Sequence, residues 1–256
     1  MAQYKHFAKL YQLGWYDNYS RVIADFFPQL LSYLGVIPKT ILDIACGTGT
    51  FAIEMAKQGM QVTGVDISTQ MLSIAKQKAR EEKEKVEWLH QDMINLTLSK
   101  KFDMCTSWFD SLNYVLLWED LLTVFQNVSQ ALTDKGYFIF DMNTRYGLIK
   151  SWNRYPSYVS QDNAKCFEVH QPSYDFETNI ASMKITGFIK EGDSWNKIQE
   201  IHKEKGYSLQ EIRAAFAGAG FCELHSFSNL QEYAPVEEQT GRVFFILKKG
   251  NIPEKI

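Results

Sequence analysis

At 256 residues, of which 45% are apolar and 22% charged, the chain is long enough to bury one full core or a core with an insert. A net charge of −3 supplies no global basic field for a polyanion, so no nucleic-acid partner is expected. The four cysteines lack C-x-x-C spacing, the histidines lack metal-ligand spacing, and no run approaches the roughly twenty apolar residues of a membrane span. The expectation is reduced thiols, no metal, no membrane and a cytoplasmic location.

The first forty residues are rich in aromatics, among them Tyr4, Tyr11 and Tyr16. A helix is expected from Ser20 on a stripe of Val22, Ile23, Phe26, Leu30 and Leu31, with Pro28 kinking or breaking it. Ile41 to Phe51 reads as a buried strand ending in a glycine turn, and a second strand from Gln61 to Val65 ends at Asp66. Gly47 and Gly49 have no Cβ to hold a ligand away from the backbone and enter positive φ without strain. Asp66, at the tip of the neighbouring parallel strand, can accept both hydroxyls of a ribose in the crevice where such sheets bind ligands. Asp43, just inside the first strand end, would repel a pyrophosphate and suits a cation.

Next comes a helix over 69–84, capped by Ser68 or Thr69, with Met71, Ala75 and Ala79 on one face and the charged run 76–85 as its solvated surface. Strands near 86–90, 102–107 and 137–142, with helices near 50–58 and 118–132, complete the alternation of a parallel sheet covered on both faces. Gly59 and Gly136 read as left-handed helix caps. From 145 the rhythm changes to period two: Met183, Ile185 and Ile189 alternate with Lys184, Thr186 and Phe188, and a turn at 191–194 makes a hairpin. With Cys166 to His170 as a third strand, residues 145–205 are expected to form a small antiparallel insert between an α/β core segment, 1–144, and a closing segment, 206–256. That closing segment holds a helix opened by a Ser208/Glu211 capping box and two strands, Phe221 to Phe227 and Arg242 to Leu247.

The turn after the first strand resembles the first motif of class I S-adenosylmethionine-dependent methyltransferases, hydrophobic-Asp/Glu-x-Gly-x-Gly-x-Gly, with Ala45 standing at the first glycine. The resemblance runs from about Lys39 to Asn143. It implies a doubly wound, seven-stranded, mostly parallel Rossmann-like sheet with the last strand antiparallel, and S-adenosyl-L-methionine as cofactor. It places cofactor contacts at Asp43, Ala45, Cys46, Gly47 and Gly49 in the first turn, and at Asp66, Ile67 and Met71 after the second strand. Asp92 and Met93 would meet the adenine, and Trp108 and Phe109 would lie under the cofactor. Similar small-molecule methyltransferases fold an N-terminal segment over the cofactor with tyrosines near the methyl, and carry inserts that cover the substrate.

Candidates for a role on the acceptor are Asp110, Asn113, Tyr146 and Tyr16, with Asn143, Arg145 and His170 behind them. The Asn/Asp-Pro-Pro-Tyr tetrad of enzymes acting on DNA adenine or protein glutamine is replaced by Asp110-Ser111-Leu112-Asn113-Tyr114. The run Phe109-Asp110-Ser111, the N-terminal tyrosines and the late insert look most like glycine or amino-sugar N-methyltransferases, so a small amine is the expected acceptor. Phenolic or alcohol oxygen is the alternative. Gly47, Gly49 and Ala52 also satisfy G-x-G-x-x-A formally, which leaves open a nicotinamide-dependent oxidoreductase or a non-catalytic cofactor binder. The insert is read as a cover over the substrate, with a homodimer contact or structural padding as the alternatives.

Overall fold

Near-continuous apolar runs can be buried on both faces only at the centre of a layered α/β fold, and they lie there in the computed structural model, which describes residue 4 and residues 7–250. Two helices come first, α1 (Phe7–Leu13) and α2 (Asp17–Leu34). Helix α2 runs through Pro28 without interruption, so the expected break is absent, and its buried face is Ile23, Phe26, Phe27, Leu30 and Leu31 while Val22 is exposed. Gly35 ends it in the left-handed conformation, and the amide of Val36 reaches back to Leu31.

The core alternates β1 (Thr40–Ile44), α3 (Thr50–Lys57), β2 (Gln61–Asp66), α4 (Thr69–Glu81), β3 (Val86–His90), β4 (Phe102–Ser107), α5 (Trp118–Ala131) and β5 (Leu132–Asn143). Gly59 takes positive φ after α3, but Gly136 lies inside β5, where an added Cβ would stand 2.8 Å from that of Leu132. The helix before it already stops at Ala131, so Gly136 marks close packing instead of a cap. Side chains on β5 alternate between layers: Phe138, Phe140 and Met142 pack with α5, and Ile139 packs with α2 and α3.

After β5 the chain forms α6 (Arg145–Trp152), an element with no counterpart in the sequence reading, and then four strands. These are β6 (Tyr158–Asp162), β7 (Cys166–Asp175), β8 (Ile180–Glu191) and β9 (Ser194–Lys205), paired antiparallel in that order. The insert therefore holds one strand more than expected, because β6 is mostly exposed and carries little period-two signal. Gly192 at positive φ turns β8 into β9, with Glu191 paired to Ser194. One face of this sheet packs on α1: Cys166, Met183, Ile185 and Ile189 meet Phe7, Leu10 and Tyr11.

Helix α7 (Leu209–Gly218), then β10 (Phe221–Phe227) and β11 (Arg242–Lys249), close the main sheet in the order β10-β11-β5-β4-β1-β2-β3, with β11 antiparallel to both neighbours. Among the described residues no helix is long and apolar enough to cross a membrane. The capping box is complete: Ser208 Oγ accepts from the Glu211 amide at 3.2 Å, and Glu211 accepts from the Ser208 amide at 2.7 Å. Replacing Ser208 by Ala is expected to lower unfolding stability by about 1 kcal/mol, measured as the shift of the urea midpoint.

Candidate active site

Parallel strands end on one rim, and three of those ends converge. Asp43 is buried at the end of β1, where Thr106 of β4 donates to its Oδ1 at 2.8 Å. Burial pushes its carboxyl up to about 7, against the lowering effect of Thr106 and with added repulsion from Asp66. Asp66, at the end of β2, accepts the Gly47 amide at 2.8 Å and the Ser68 amide at 2.7 Å, which aims the carboxylate over the first turn. Burial raises its pKa as well, with those amides opposing.

The first turn is left-handed at Ala45, Gly47 and Gly49, with φ of 54°, 55° and 75°. Ala45 thus holds a glycine-like conformation despite its Cβ, which answers the departure at that position of the motif. The two glycines serve different ends. A Cβ on Gly47 would meet nothing within 4 Å, whereas one on Gly49 would strike the Trp88 ring and stand 2.9 Å from the Ala75 Cβ. Gly49 lets the start of α3 pack against β3 and α4.

A cavity of about 250 Å³ opens on this rim, lined by Asp43, Ala45, Cys46, Gly47, Asp66, Ile67, Met71, Asp92, Met93, Trp108 and Phe109, with Gln91, Ile94 and Val115 beside them. Of the expected cofactor contacts only Gly49 lies outside it. Asp92 Oδ1 accepts the Ile94 amide at 2.9 Å, so its orientation is set by its own turn. The charged run on α4 is not wholly solvated: Lys78 turns inward and joins Asp17 Oδ2 at 2.8 Å and Thr50, tying α2 to the start of α3.

A second cavity, also about 250 Å³, lies under the insert and shares Tyr4, Tyr11, Phe109 and Tyr114 with the first. Its polar wall includes Asp110, Tyr16, Asn143 and His170, all anticipated, together with His202, Glu204 and Arg242. Asn143 donates one amide to Asp110 and to Glu204, the latter at 3.1 Å. Burial raises the Glu204 carboxyl well above its usual range, and Asp110 adds to the shift. Tyr16 donates to Glu168, a fully buried carboxylate on β7 that also contacts His170 Nε2. Tyr158 meets His170 Nδ1 at 3.1 Å, so both ring nitrogens of His170 are engaged in holding the insert.

Three anticipated acceptor residues lie elsewhere. Asn113 lines neither cavity; its amide donates to the carbonyls of Asn143 and Lys205 at 2.9 Å each and accepts the Asn143 amide, fastening β4 to β5 and β9. Tyr146 sits on α6 with its hydroxyl 3.5 Å from Gln239, and Arg145 pairs with Glu211.

The turn between the cavities depends on residues the sequence reading did not single out. Phe109 and Asp110 both take left-handed φ, 61° and 53°, at a cost of about 1–3 kcal/mol each. Asp141, fully buried near the end of β5, accepts both of their amides, at 2.7 and 3.0 Å, and pairs with Arg242 of β11. Successive left-handed amides form a concave anion seat, and here the anion is internal. Arg242 also donates to Asp110 at 3.0 Å, and its guanidinium lies over the rings of Tyr19 and Phe109. Only a charge beside an apolar run, as in Phe140-Asp141-Met142, hints at this in sequence.

A seven-stranded Rossmann-like sheet with two buried carboxylates and a glycine turn on one rim defines a nucleoside-binding α/β protein. Residues 41–136 match the methyltransferase domain family model. A putative methyltransferase of Geobacillus sp. (strain WCH70) is 31% identical over 218 residues, covering 82% of this chain and 85% of the relative. The crystal structure of an S-adenosylmethionine-dependent methyltransferase from Clostridium acetobutylicum superimposes with a TM-score of 0.82 at 26% identity, over 93% of this chain and all of that one. An S-adenosylmethionine-bound amino pentose methyltransferase from Micromonospora echinaspora shares the fold at 18% identity, with a TM-score of 0.68 over 97% and 98% of the two chains. The chain belongs to the S-adenosylmethionine-dependent methyltransferases. The nicotinamide alternative is thereby set aside. The first cavity fits this cofactor chemically: its amino and sulfonium groups are cationic, and Asp43 and Asp66 are buried carboxylates in no ion pair among the described residues.

Replacing Asp141 by Ala removes the acceptor of two strained amides and leaves Arg242 without a main partner. The expected loss is about 3–5 kcal/mol of unfolding stability, measured by urea denaturation, with the Asn variant losing less.

Proposed function

We propose that the protein methylates the nitrogen of a small amine held in the second cavity. The observation carrying this reading is the charge and wall chemistry of that cavity. Two acidic side chains, Asp110 and Glu204, stand on its wall against a single guanidinium, Arg242, which is itself paired with Asp110 and with Asp141 beneath the turn, and the remaining wall is largely aromatic, with Tyr4, Tyr11, Tyr16, Tyr114, Trp152 and Tyr158. Excess carboxylate with aromatic faces favours a compact cation, which an amine is at neutral pH and a phenol is not.

In this reading the first cavity holds the cofactor. Asp43 faces its amino group, Asp66 accepts the ribose hydroxyls, Gly47 gives backbone clearance, and Asp92 and Met93 flank the adenine. When bound, the cofactor supplies an electrophilic methyl group on sulfur, and the leaving thioether keeps the electron pair. The protein's work is to align the nitrogen with that methyl group and exclude water. The shared aromatic residues Tyr4, Tyr11, Phe109 and Tyr114 frame the passage. Asp110 and Glu204 hold the acceptor's charge, and Tyr16 braces the insert through Glu168.

A competition assay tests the acceptor. Labelled methyl from S-adenosylmethionine is offered with a pool of glycine, ethanolamine, glucosamine and putrescine against a pool of catechol and 4-hydroxybenzoate. Label is expected in the amine pool; label in the phenol pool alone overturns the reading.

Cofactor binding carries a pH signature. Below about 7 the buried Asp43 carboxyl is mostly protonated and must lose its proton to face a cation. Affinity is therefore full above that range and falls as pH drops through it, approaching about tenfold per pH unit. Calorimetric titrations with S-adenosylmethionine across this range should show that slope, and Asp43→Asn should bind more weakly without it.

A further inference from the structure

Tyr114 stands where the two cavities meet, and its hydroxyl lies within a directed hydrogen-bond chain. Tyr4 Oη donates to Tyr114 Oη at 2.8 Å, so the single hydrogen of Tyr114 is left for His202 Nδ1, 3.0 Å away. That donation requires a lone pair on Nδ1, and Nε2 then carries the hydrogen. Electrostatics agree: Nε2 stands 3.3 Å from Glu200 Oε2, where an N–H is attracted and a lone pair repelled. His202 is 2% exposed, and its Nε2 is not aligned for a hydrogen bond with any described residue.

The groups around this ring come from every side. Tyr4 and Phe7 face it from the N-terminal segment, Tyr114 from the turn after β4 and Met183 across β8, while Glu200 and Glu204 flank it on β9. Among the described residues the acidic side chain standing against Nε2 is Glu200, and Glu204 and Arg242 share the cavity wall with the ring. His170, by contrast, has both nitrogens occupied and faces Glu168 directly.

We infer that Tyr114 and His202 form a proton-accepting pair for the methyl acceptor, Tyr114 touching the acceptor nitrogen and His202 positioning that hydroxyl and holding the proton. The inference rests on the amine reading. An acceptor that arrives as an ammonium passes one N–H proton to Tyr114 Oη while Tyr114 passes its own to His202 Nδ1. The result is a neutral amine with a free lone pair and an imidazolium whose Nε2–H faces Glu200. The imidazolium returns its proton to solvent after product leaves, so the proton count closes without another reagent.

The informative variant is His202→Asn, because the Asn side-chain oxygen can replace Nδ1 as acceptor for Tyr114 yet cannot take up a proton. With whichever amine of the pool turns over fastest, kcat near neutral pH should fall roughly 10²-fold. The pH–rate profile should differ from that of the wild type, because the variant's rate follows the free-amine fraction of the acceptor, while KM and S-adenosylhomocysteine affinity stay within about twofold, as expected when only a transition-state interaction is lost. Tyr114→Phe should lose kcat similarly. A readout independent of turnover is long-range proton–nitrogen NMR of the full chain with S-adenosylhomocysteine, which should show His202 as the Nε2–H tautomer. An Nδ1–H tautomer, or a His202→Asn enzyme with the wild-type kcat and pH profile, overturns the pair. If no amine turns over, the amine reading fails while the tautomer still decides the pair.

Discussion

The site depends on one buried ion pair. Asp141 and Arg242 join the ends of β5 and β11, and the same carboxylate accepts the amides of Phe109 and Asp110 after β4. Without that anion, two consecutive left-handed residues would carry their backbone strain unopposed. Held this way, the turn presents Phe109 to both cavities and Asp110 to the second. Arg242 extends the constraint to α2 through Tyr19, whose ring stacks on Phe109 at 4.6 Å. A buried pair of this kind need not add net stability over an apolar substitute, but leaving either half alone is costly. Its contribution here is geometric: strands brought together by the sheet acquire a common, defined turn.

A division of labour follows from the two sheets. The main sheet presents carboxylates and amides at parallel strand ends, where backbone hydrogen bonds set positions closely. The insert presents side chains from alternate residues of long antiparallel strands, so Glu168 and His170, and then His202 and Glu204, reach inward at intervals of two. Helix α1 packs its aromatic side chains on the insert and also meets Met71 and Ile74 of α4, one of the helices flanking the main sheet. Burying Glu168 and Glu204 costs desolvation, and the structure offsets it with hydrogen bonds from Tyr16, Gln161 and Asn143.

Much of the main sheet was legible because its signals are local. Gly47 and Gly59 sit where positive φ is needed, and the Ser208 capping box closes within one turn. Errors arose where a local signal competed with tertiary packing. Pro28 lies within an unbroken helix whose neighbours bury the rest of that turn, and Gly136 reads as a cap yet occupies a strand that needs space beside Leu132. Gly49 resembles a ligand contact in sequence but answers to Trp88, while Asn113 resembles a catalytic side chain but ties three segments together.

By itself the sequence determined the order of strands and helices in the main sheet, the turn that carries Asp43 and Gly47, and the carboxylate of Asp66, since hydrophobic period and turn chemistry are written in consecutive residues. It also marked the change to period two that makes the insert. Only the tertiary structure decided which side chains share the second cavity. Asp110, Asn143, His202 and Arg242 are separated by up to 132 positions and meet through strand pairing and the docking of the insert. Contacts between distant segments leave no periodic trace in a single chain, because each residue type there satisfies a partner that only folding brings near.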